Sequence, residues 1–530
     1  MEKRLLLGDE AVALGAINAG LSGVYAYPGT PSTEITEFIQ SQRDVNIFCR
    51  WCTNEKTAME AALGMSYAGK RALVCMKHVG MNVCADPFIN SSITGVNGGL
   101  VVLAADDPSM HSSQDEQDSR FYGKFAMIPV FEPSTQQEAY NMMKVAFNLS
   151  EELKTPVMMR IVTRLAHSRA AVELDDKKEQ NILNPDNQRT HWVLLPVNAR
   201  RQYVALIEKQ PQMLEAAENS IFNVFEKGKG DKKLGIIASG IGYNYVKEVA
   251  EDEYNVLKIS QYPLPVEKIK ELAAQSFEIL VVEDGQPVIE ESVKGILGAD
   301  YPVVGRLTED LPRTGELSPD AVAKALGKEC NVAFTDIHNV VGRPPALCMG
   351  CGHRDVYKAL NEVLKDYPTA RVFGDIGCYT LGALPPFQAL DSTVDMGASI
   401  TMAKGASDAG LYPAIAMIGD STFTHSGMTG LLDAVNCKAN IVVVISDNLT
   451  TAMTGGQDSA GTNKFEAICM GLGVEPEHLH VVVPLPQNME EITRIIREEI
   501  EYKGVSVIIP RRECIQTLNR KLRKQKAEKK

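Results

Sequence analysis

Short, apolar runs recur along this chain, separated by stretches whose apolar residues return at helical spacing. Val24–Tyr27, Ala72–Met76 and Leu100–Ala104 contain no charged position. Runs of this kind predict strands buried on both faces, as in a parallel sheet. Glu10–Ala19, Thr33–Gln42 and Asn54–Ala68 show the three-to-four-residue period of helices packed on such a sheet. Strand-like runs return at Leu234–Ala238 and Ile279–Asp284, and strand, helix and strand follow one another at Ile415–Ile418, Gly427–Ala434 and Ile441–Ser446. This alternation predicts an α/β protein with parallel sheets. Between about 180 and 233 the period weakens, and Lys227-Gly-Lys-Gly-Asp-Lys-Lys233 predicts a surface linker.

Length and composition narrow the class. At 530 residues the chain should hold about three domains, here 1–180, 181–335 and 336–515, the last two meeting near Gly342-Arg-Pro-Pro345. A net charge of −13 argues against nucleic acid. The apolar stretch after Met1-Glu-Lys-Arg ends within three residues, so no signal peptide is expected. No run approaches the ~18 apolar residues of a membrane span. A cytoplasmic, reducing setting follows, in which the eleven cysteines are buried, catalytic or metal-binding rather than disulfide-bonded. Residues 516–530 form a basic tail, with seven basic residues and one acidic from Arg520 onward.

The turns hold the chemistry. Gly419-Asp-Ser-Thr follows an apolar strand, and Asn448 follows the next, so Asp420 and Asn448 fall at the carboxyl ends of neighbouring parallel strands. Ligands bind there in open α/β sheets. A carboxylate, an amide oxygen and a freed carbonyl suit Mg²⁺ with phosphates as its other ligands. The following helix offers N–H groups to an anion, and Ser421 adds a hydroxyl. An ordinary crossover with a polar turn fits the same residues. Tyr27-Pro-Gly-Thr-Pro-Ser-Thr33 is a strand-to-helix turn, with Ser32 or Thr33 as helix cap. Glu55 falls in the first turn of a helix, where an exposed dipole residue is the simplest account. Met76-Lys-His-Val-Gly-Met-Asn82 reads as a cleft-lining loop with a Gly hinge, presenting Lys77 and His78. Asp106–Asp118 is too polar for core and reads as a substrate loop or a solvated connection. Cys49 and Cys52 have metal-ligand spacing but no second pair, so buried thiols beside a strand fit them better. Gly240-Ile-Gly242 lacks the third glycine of a dinucleotide fingerprint, since position 245 is Tyr. Cys348, Cys351, Cys378 and Cys514 offer four thiolates in one domain, enough for a four-iron, four-sulfur cluster or a closed zinc site.

Several longer motifs agree in order with one family. Tyr27-Pro-Gly-Thr-Pro-Ser32, Asn54-Glu-Lys56, Met76-Lys-His-Val-Gly80, Cys348-x-Gly-Cys351, Gly374-Asp-Ile-Gly-Cys-Tyr-Thr-Leu-Gly382, Gly419-Asp-Ser-Thr-Phe423 and Asp447-Asn-Leu-Thr-Thr-Ala-Met-Thr-Gly455 span the chain to about Cys514. Together they resemble the thiamine-dependent 2-oxoacid:ferredoxin oxidoreductases, and within them the alpha subunits of the indolepyruvate type. The spacing of 28 residues from Asp420 to Asn448 is similar to the thiamine-diphosphate signature, with Ser421 where glycine is commoner. The resemblance implies a thiamine-diphosphate-binding fold, with two cofactor-binding parallel-sheet domains flanking a transketolase-C-like α/β domain.

It also implies roles. In the first domain Tyr27, Pro28, Gly29 and Thr30 line the cofactor site, and Glu55 hydrogen-bonds the pyrimidine ring. Thr30 meets the substrate, and His78 is a catalytic candidate beside it. In the last domain Cys378, Tyr379, Thr380, Gly397, Gly419, Asp420, Ser421, Thr422, Asn448 and Thr450 surround the diphosphate. Asp420, Asn448 and the Thr450 carbonyl hold Mg²⁺. Cys348, Cys351, Cys378 and Cys514 hold one four-iron, four-sulfur cluster, since the Cys378 turn lies beside the diphosphate in the family.

The implied reaction is oxidative decarboxylation of a 2-oxoacid, an arylpyruvate in the indolepyruvate branch, to an acyl-CoA, with coenzyme A as co-substrate and electrons passed to ferredoxin or another carrier. The implied partners are a smaller beta subunit, the carrier and further copies of this chain. Two departures stand out. Met349 and Gly352 replace prolines usual in the family, and the 16 residues after Cys514 contain no cysteine, so the expected ferredoxin-like domain is replaced by a separate carrier. A non-redox thiamine-dependent decarboxylase and a non-catalytic cofactor-binding subunit are the rival readings.

Overall fold

The structure, a computed structural model, describes residues 2–42, 46–230, 233–329 and 345–528. The Gly342-Arg-Pro boundary, positions 231 and 232 of the linker, and the last two lysines of the tail lie outside them. The chain divides into two compact units, Met1–Asp336 and Ile337–Lys530.

The first unit contains two larger sheets. Seven strands run in the order Gln261–Tyr262, Val130–Phe131, Val157–Val162, Leu100–Asp106, Ala72–Lys77, Gly23–Ala26 and Phe48–Trp51. All pair in parallel except the first two. Ala72–Lys77, Leu100–Asp106 and Val157–Val162 are buried along their whole length, as their mainly apolar sequences suit, with Arg160 a buried charge within the last. A second sheet runs Val303–Val304, Glu278–Val282, Leu234–Ser239, Asn255–Ile259 and Val224–Glu226, with only the last strand antiparallel. A two-stranded ribbon pairs Lys3–Leu7 with Arg169–Glu173.

Two sequence expectations fail in this unit. Met76–Asn82 is no hinged loop: the strand ends at Lys77 and a helix starts at once, running His78–Thr94. Gly80 sits inside that helix, where its missing side chain makes room rather than motion. Asp106–Asp118 is irregular, but its ends belong to the core. Asp106 and Asp118 are buried because Arg160 and Arg120 are buried beside them. Arg160 binds Asp106 at 2.6 Å and Glu132 at 2.5 Å, and Arg120 binds Asp118 at 2.6 Å and Glu283 at 2.8 Å. Matched charges let polar residues occupy core positions that hydropathy alone denies them.

The sequence also gives no sign of the helix Pro196–Glu218. Only Leu206, Met213 and Ala217 on it are fully buried, so its apolar stripe is thin, and Pro211 lies within it. An internal proline removes a helix hydrogen bond and reads as a break.

The second unit is one parallel sheet, ordered Ser392–Thr393, Arg371–Gly374, Ala414–Gly419, Ile441–Ser446, Val505–Pro510 and Leu479–Val482. Alternate residues face opposite sides. Ile415, Met417, Val442 and Val444 enter one core, and Ala416, Ile418, Val443 and Ile445 the other. Gly419 pairs in register with Ser446, which sets the two following turns side by side. Among the described residues no helix is long and apolar enough to cross a membrane.

Candidate functional site

In the second unit, the strand Ala414–Gly419 passes directly into helix at Asp420. The Asp420 carboxylate is 2% exposed. The Ser421 amide donates to its Oδ1 at 2.7 Å and the Thr450 amide to its Oδ2 at 3.1 Å. The same Thr450 amide donates to Oδ1 of Asn448 at 3.2 Å. One N–H thus gathers the two side-chain oxygens expected to bind a metal. Burial pushes the Asp420 carboxyl up to about 7, the Asp447 charge adds to this, and the amides oppose it.

The loop around Asn448 is held rigidly. Asp447 accepts from Arg511 Nε at 2.6 Å and from the Leu449 amide at 3.1 Å. Arg511 in turn pairs with Glu466 through both terminal nitrogens, at 2.8 and 2.7 Å. Leu449 takes a φ of 63°, a left-handed conformation that leucine rarely adopts. Asp447 is therefore spent on the scaffold, while each oxygen of Asp420 keeps acceptor capacity. A buried carboxylate, an amide oxygen and a nearby backbone carbonyl are the donor types Mg²⁺ takes.

Asp375, in the Gly374-Asp-Ile-Gly turn, completes this region and is absent from the residues singled out by sequence. It is fully buried and accepts from the Gly397 amide at 3.1 Å, the Ser399 amide at 3.4 Å, the Ser399 hydroxyl at 2.7 Å and the Tyr379 hydroxyl. Burial pushes its carboxyl up to about 7 against these donors. Asp375 thereby fixes Gly397, at the start of helix Ala398–Asp408, and the Tyr379 ring. Tyr379 packs close to Gly419, where an added Cβ would lie 2.5 Å from the ring. The signal was present in the motif, since a charged residue in a buried turn needs a reason.

Thr380 donates to the Asp375 carbonyl at 2.5 Å, and Thr422 to that of Ile376 at 3.1 Å. These two hydroxyls brace the turn.

Cys348, Cys351, Cys378 and Cys514 line a single cavity of about 250 Å³, together with Asn448 and His353. Cys351 occupies the position just before helix Gly352–Leu364 without a capping hydrogen bond, where backbone N–H groups favour negative charge. Cys378 opens the short helical turn Cys378–Ala383. The Cys514 amide donates to the Asn448 carbonyl at 3.0 Å. Burial pushes the Cys378 thiol up to about 12, and the other three thiols and Asp420 push the same way. Four thiols in one cavity, three of them disfavouring the ionisation of Cys378, fit a cation or cationic cluster that draws off their protons. Burial also drops His353 to about 4, so it stands neutral beside Cys351, with Nδ1 3.3 Å from the sulfur.

In the first unit, Tyr27 and Pro28 follow the strand Gly23–Ala26, and Gly29 and Thr30 are half-buried in the turn beyond them. Neither Ser32 nor Thr33 caps the helix Thr33–Ser41. Ser32 Oγ donates instead to the Gly29 carbonyl at 2.8 Å, and Thr33 Oγ1 accepts from the Gly29 amide at 3.0 Å. Both hydroxyls close the turn that presents Thr30.

Asn54 caps the helix Glu55–Tyr67, accepting from the Thr57 amide at 2.9 Å. Glu55 is 5% exposed, which overturns its reading as a solvated dipole residue. His78 is fully buried at the start of its helix, with Nε2 3.3 Å from the Asp115 carbonyl and Nδ1 without a hydrogen-bond partner. Lys77 donates to the Ser112 carbonyl at 2.8 Å, and burial lowers its amine below the usual range. Cys49 is half-buried on the strand Phe48–Trp51 and Cys52 just beyond it, and burial raises both thiols. They resemble packed thiols more than ligands.

Residues 14–227 match the family model for the thiamine-diphosphate-binding domain of pyruvate flavodoxin/ferredoxin oxidoreductases. Residues 375–509 match that for the C-terminal thiamine-pyrophosphate-binding domain of thiamine-pyrophosphate enzymes. The indolepyruvate oxidoreductase subunit IorA of Archaeoglobus fulgidus is 38% identical over 97% of this chain and 86% of its own length. The subunit of that name from Thermococcus kodakarensis is 37% identical over the same shares. The 2-oxoglutarate synthase subunit KorA of Methanothermobacter thermautotrophicus is 29% identical over 33% of this chain and 49% of its own. A solved 2-oxoglutarate:ferredoxin oxidoreductase from Magnetococcus marinus shares the fold, with a TM-score of 0.50 and 16% identity over 61% of this chain and 65% of that one. Identity of this extent, over nearly the whole length of both chains, makes this protein a member of the indolepyruvate oxidoreductase IorA subunit family, among the thiamine-dependent 2-oxoacid oxidoreductases.

Proposed function

We propose that this chain is the thiamine-diphosphate-binding subunit of an enzyme that oxidatively decarboxylates a 2-oxoacid. In the balanced reaction, a 2-oxoacid, coenzyme A and two oxidised one-electron carriers give an acyl-CoA, CO₂, two reduced carriers and a proton. Thiamine diphosphate supplies the carbanion chemistry when bound. The relatives named for indolepyruvate support an arylpyruvate as the substrate class, and the match to the flavodoxin/ferredoxin oxidoreductase family supports ferredoxin as the carrier.

In this reading Glu55 holds a proton at the pyrimidine ring, Thr30 meets the substrate, and the buried His78 is a further catalytic group. Tyr27, Pro28 and Gly29 shape the same turn. Asp420, Asn448 and the Thr450 carbonyl hold Mg²⁺ against the diphosphate, whose charge Gly419, Ser421 and Thr422 also face. Tyr379, Thr380 and Gly397 position that turn through Asp375. Residues 1–180 form the pyrimidine-binding domain, 181–335 the transketolase-C-like domain, 336–515 the diphosphate domain and 516–530 a basic tail that attracts an acidic carrier. A smaller beta subunit and further copies of this chain complete the cytoplasmic enzyme.

The observation that carries the redox assignment is the Cys514 amide on the Asn448 carbonyl, with all four cysteines lining one cavity. It supports a four-iron, four-sulfur cluster held by Cys348, Cys351, Cys378 and Cys514, next to the metal-binding loop. Anaerobically prepared protein should contain about four irons per chain and absorb broadly in the visible. Cys378→Ser should lose the iron and acyl-CoA formation together. One zinc per chain and no iron would leave a non-redox decarboxylase in its place.

A further inference from the structure

Away from the thiol cavity, three side chains of the first unit converge with no role in the reading above. Asp9 is the second residue of helix Gly8–Asn18, Glu34 the second of helix Thr33–Ser41, and His167 the last of helix Thr163–His167. One ligand atom from each lies within 4.8 Å of the others. Asp9 is 0% exposed, and neither of its carboxylate oxygens has a hydrogen-bond partner. Glu34 Oε2 is likewise without a hydrogen bond and stands 3.7 Å from His167 Nε2.

A lone buried carboxylate with both oxygens unanswered is costly. Here a second carboxylate faces it, and two acceptors cannot satisfy each other. Among the described residues no lysine or arginine pairs with either one. Nearby Glu10 is occupied by the Leu7 amide at 2.8 Å, and the buried Cys75 thiol adds no positive charge. Burial and the Glu34 charge raise Asp9 well above the usual carboxylate range, so the site calls for a proton or a cation. Glu34 raises the pKa of the His167 imidazole, so without an ion a proton on His167 answers part of that demand, and a bound ion takes its place. An imidazole facing two carboxylates is a first-row transition-metal donor set, and the half-exposed Glu34 and His167 give an ion a way in.

We propose that Asp9, Glu34 and His167 form a binding site for a divalent first-row transition ion, with one or more positions left to water. The ion clamps three helices together. One of them follows directly on the Gly29–Ser32 turn that presents Thr30, so the clamp fixes that turn. The proposal is independent of the thiamine and iron–sulfur assignments.

The test uses the full-length chain, stripped by chelator and kept free of thiamine diphosphate, with Mn²⁺ alone as the probe. Mn²⁺ prefers oxygen and imidazole donors over thiolates, so the four cysteines do not compete. Loss of the free-ion paramagnetic resonance signal counts bound Mn²⁺. One ion per chain is expected in the Asp420→Ala background, which removes the competing oxygen-donor site, with affinity at least tenfold weaker when Glu34→Gln or His167→Gln is added and unchanged by Cys378→Ser. Pulsed resonance of the wild-type complex should show coupling to one imidazole nitrogen, a readout that needs no variant to fold. Asp9→Asn in the same background should bind no ion yet raise the melting temperature of the stripped protein, because an amide can donate to Glu34. Absence of binding, binding unaltered in Glu34→Gln and His167→Gln, or a bound ion without nitrogen coupling would each overturn the site and leave a carboxyl pair sharing a proton.

Discussion

Glu55 occupies the space that a side chain on Gly80 would need: a Cβ at position 80 would lie 2.7 Å from the Glu55 Oε1 and Cγ atoms. The helix Glu55–Tyr67 and the helix His78–Thr94 approach closely here because one of them carries glycine. Gly80→Ala therefore should displace the carboxylate without breaking either helix. Alanine favours the helix by ~1 kcal/mol, which offsets much of the local crowding. The expected result is a urea midpoint close to that of the wild type and at least a tenfold slower 2-oxoacid turnover. A variant with wild-type turnover would mean that the position of Glu55 is unimportant.

Glu55→Gln probes the same atom without moving it. The amide has nearly the shape of the carboxylate but cannot take up a proton. Thiamine diphosphate should still bind, while deuterium exchange at its thiazolium carbon slows by two orders of magnitude or more, within the ~10²–10⁴ typical of a lost acid–base group. Exchange at the wild-type rate would return Glu55 to a packing role.

Long apolar runs and turn motifs were readable because burial on both faces admits few other sequences. Leu100–Asp106 and Ala414–Gly419 are such runs, and Gly419-Asp420 marks where the second one ends. Features decided by distant partners were not readable. Asp106 and Asp118 look solvated until Arg160 and Arg120, far along the chain or in the next turn, are placed beside them. Gly80 looks like a hinge until Glu55 is set against it. Asp375 looks like a turn residue until the amides of Gly397 and Ser399 arrive from 22 and 24 residues on. The convergence of Asp9, Glu34 and His167 has no local pattern at all.

The buried ion cluster predicts a large stability effect. Arg160→Met keeps apolar volume but leaves Asp106 without a cation and leaves Asp118 and Glu132 to Arg120 alone. Breaking one side of a buried ionic network costs ~3–5 kcal/mol. Urea denaturation should show a loss of that size. A loss below ~1 kcal/mol would mean that the carboxylates are reached by water or neutralised by protons.

Asp375 should make stability depend on pH in a definite direction. Its folded carboxyl titrates at about 7, above the ordinary 3.8, because burial outweighs its donors. The folded state then holds a proton that the unfolded state has released. The resulting stabilisation is complete below pH 3.8 and is lost as pH rises through 7. Asp375→Asn cannot titrate. Measured by urea at several pH values, the variant should gain on the wild type between pH 4 and 7 and run parallel to it above pH 8. A difference that is flat across this window would show that the hydrogen bonds from Ser399 and Gly397 keep Asp375 ionised throughout.

The metal-binding loop gives the last prediction, on the strength of the shared Thr450 amide. That amide donates to Asp420 at 3.1 Å and to Asn448 at 3.2 Å, so the two oxygens are held together before any ion arrives. Preorganisation of this kind means that removing one ligand should weaken binding without loosening the loop, which Asp447 and Arg511 hold separately. Asp420→Ala also removes a buried charge that is costly in the metal-free protein, as its pKa of about 7 indicates. The variant should therefore be as stable as the wild type without ligands, or more so. With Mg²⁺ present, its affinity for thiamine diphosphate should fall at least tenfold, equivalent to ~1.4 kcal/mol, because the diphosphate now lacks the charge bridge to the protein. Calorimetric titration measures this directly, and circular dichroism of the free protein checks that the sheet is intact. Equal affinities in an intact fold would remove Asp420 from the metal site.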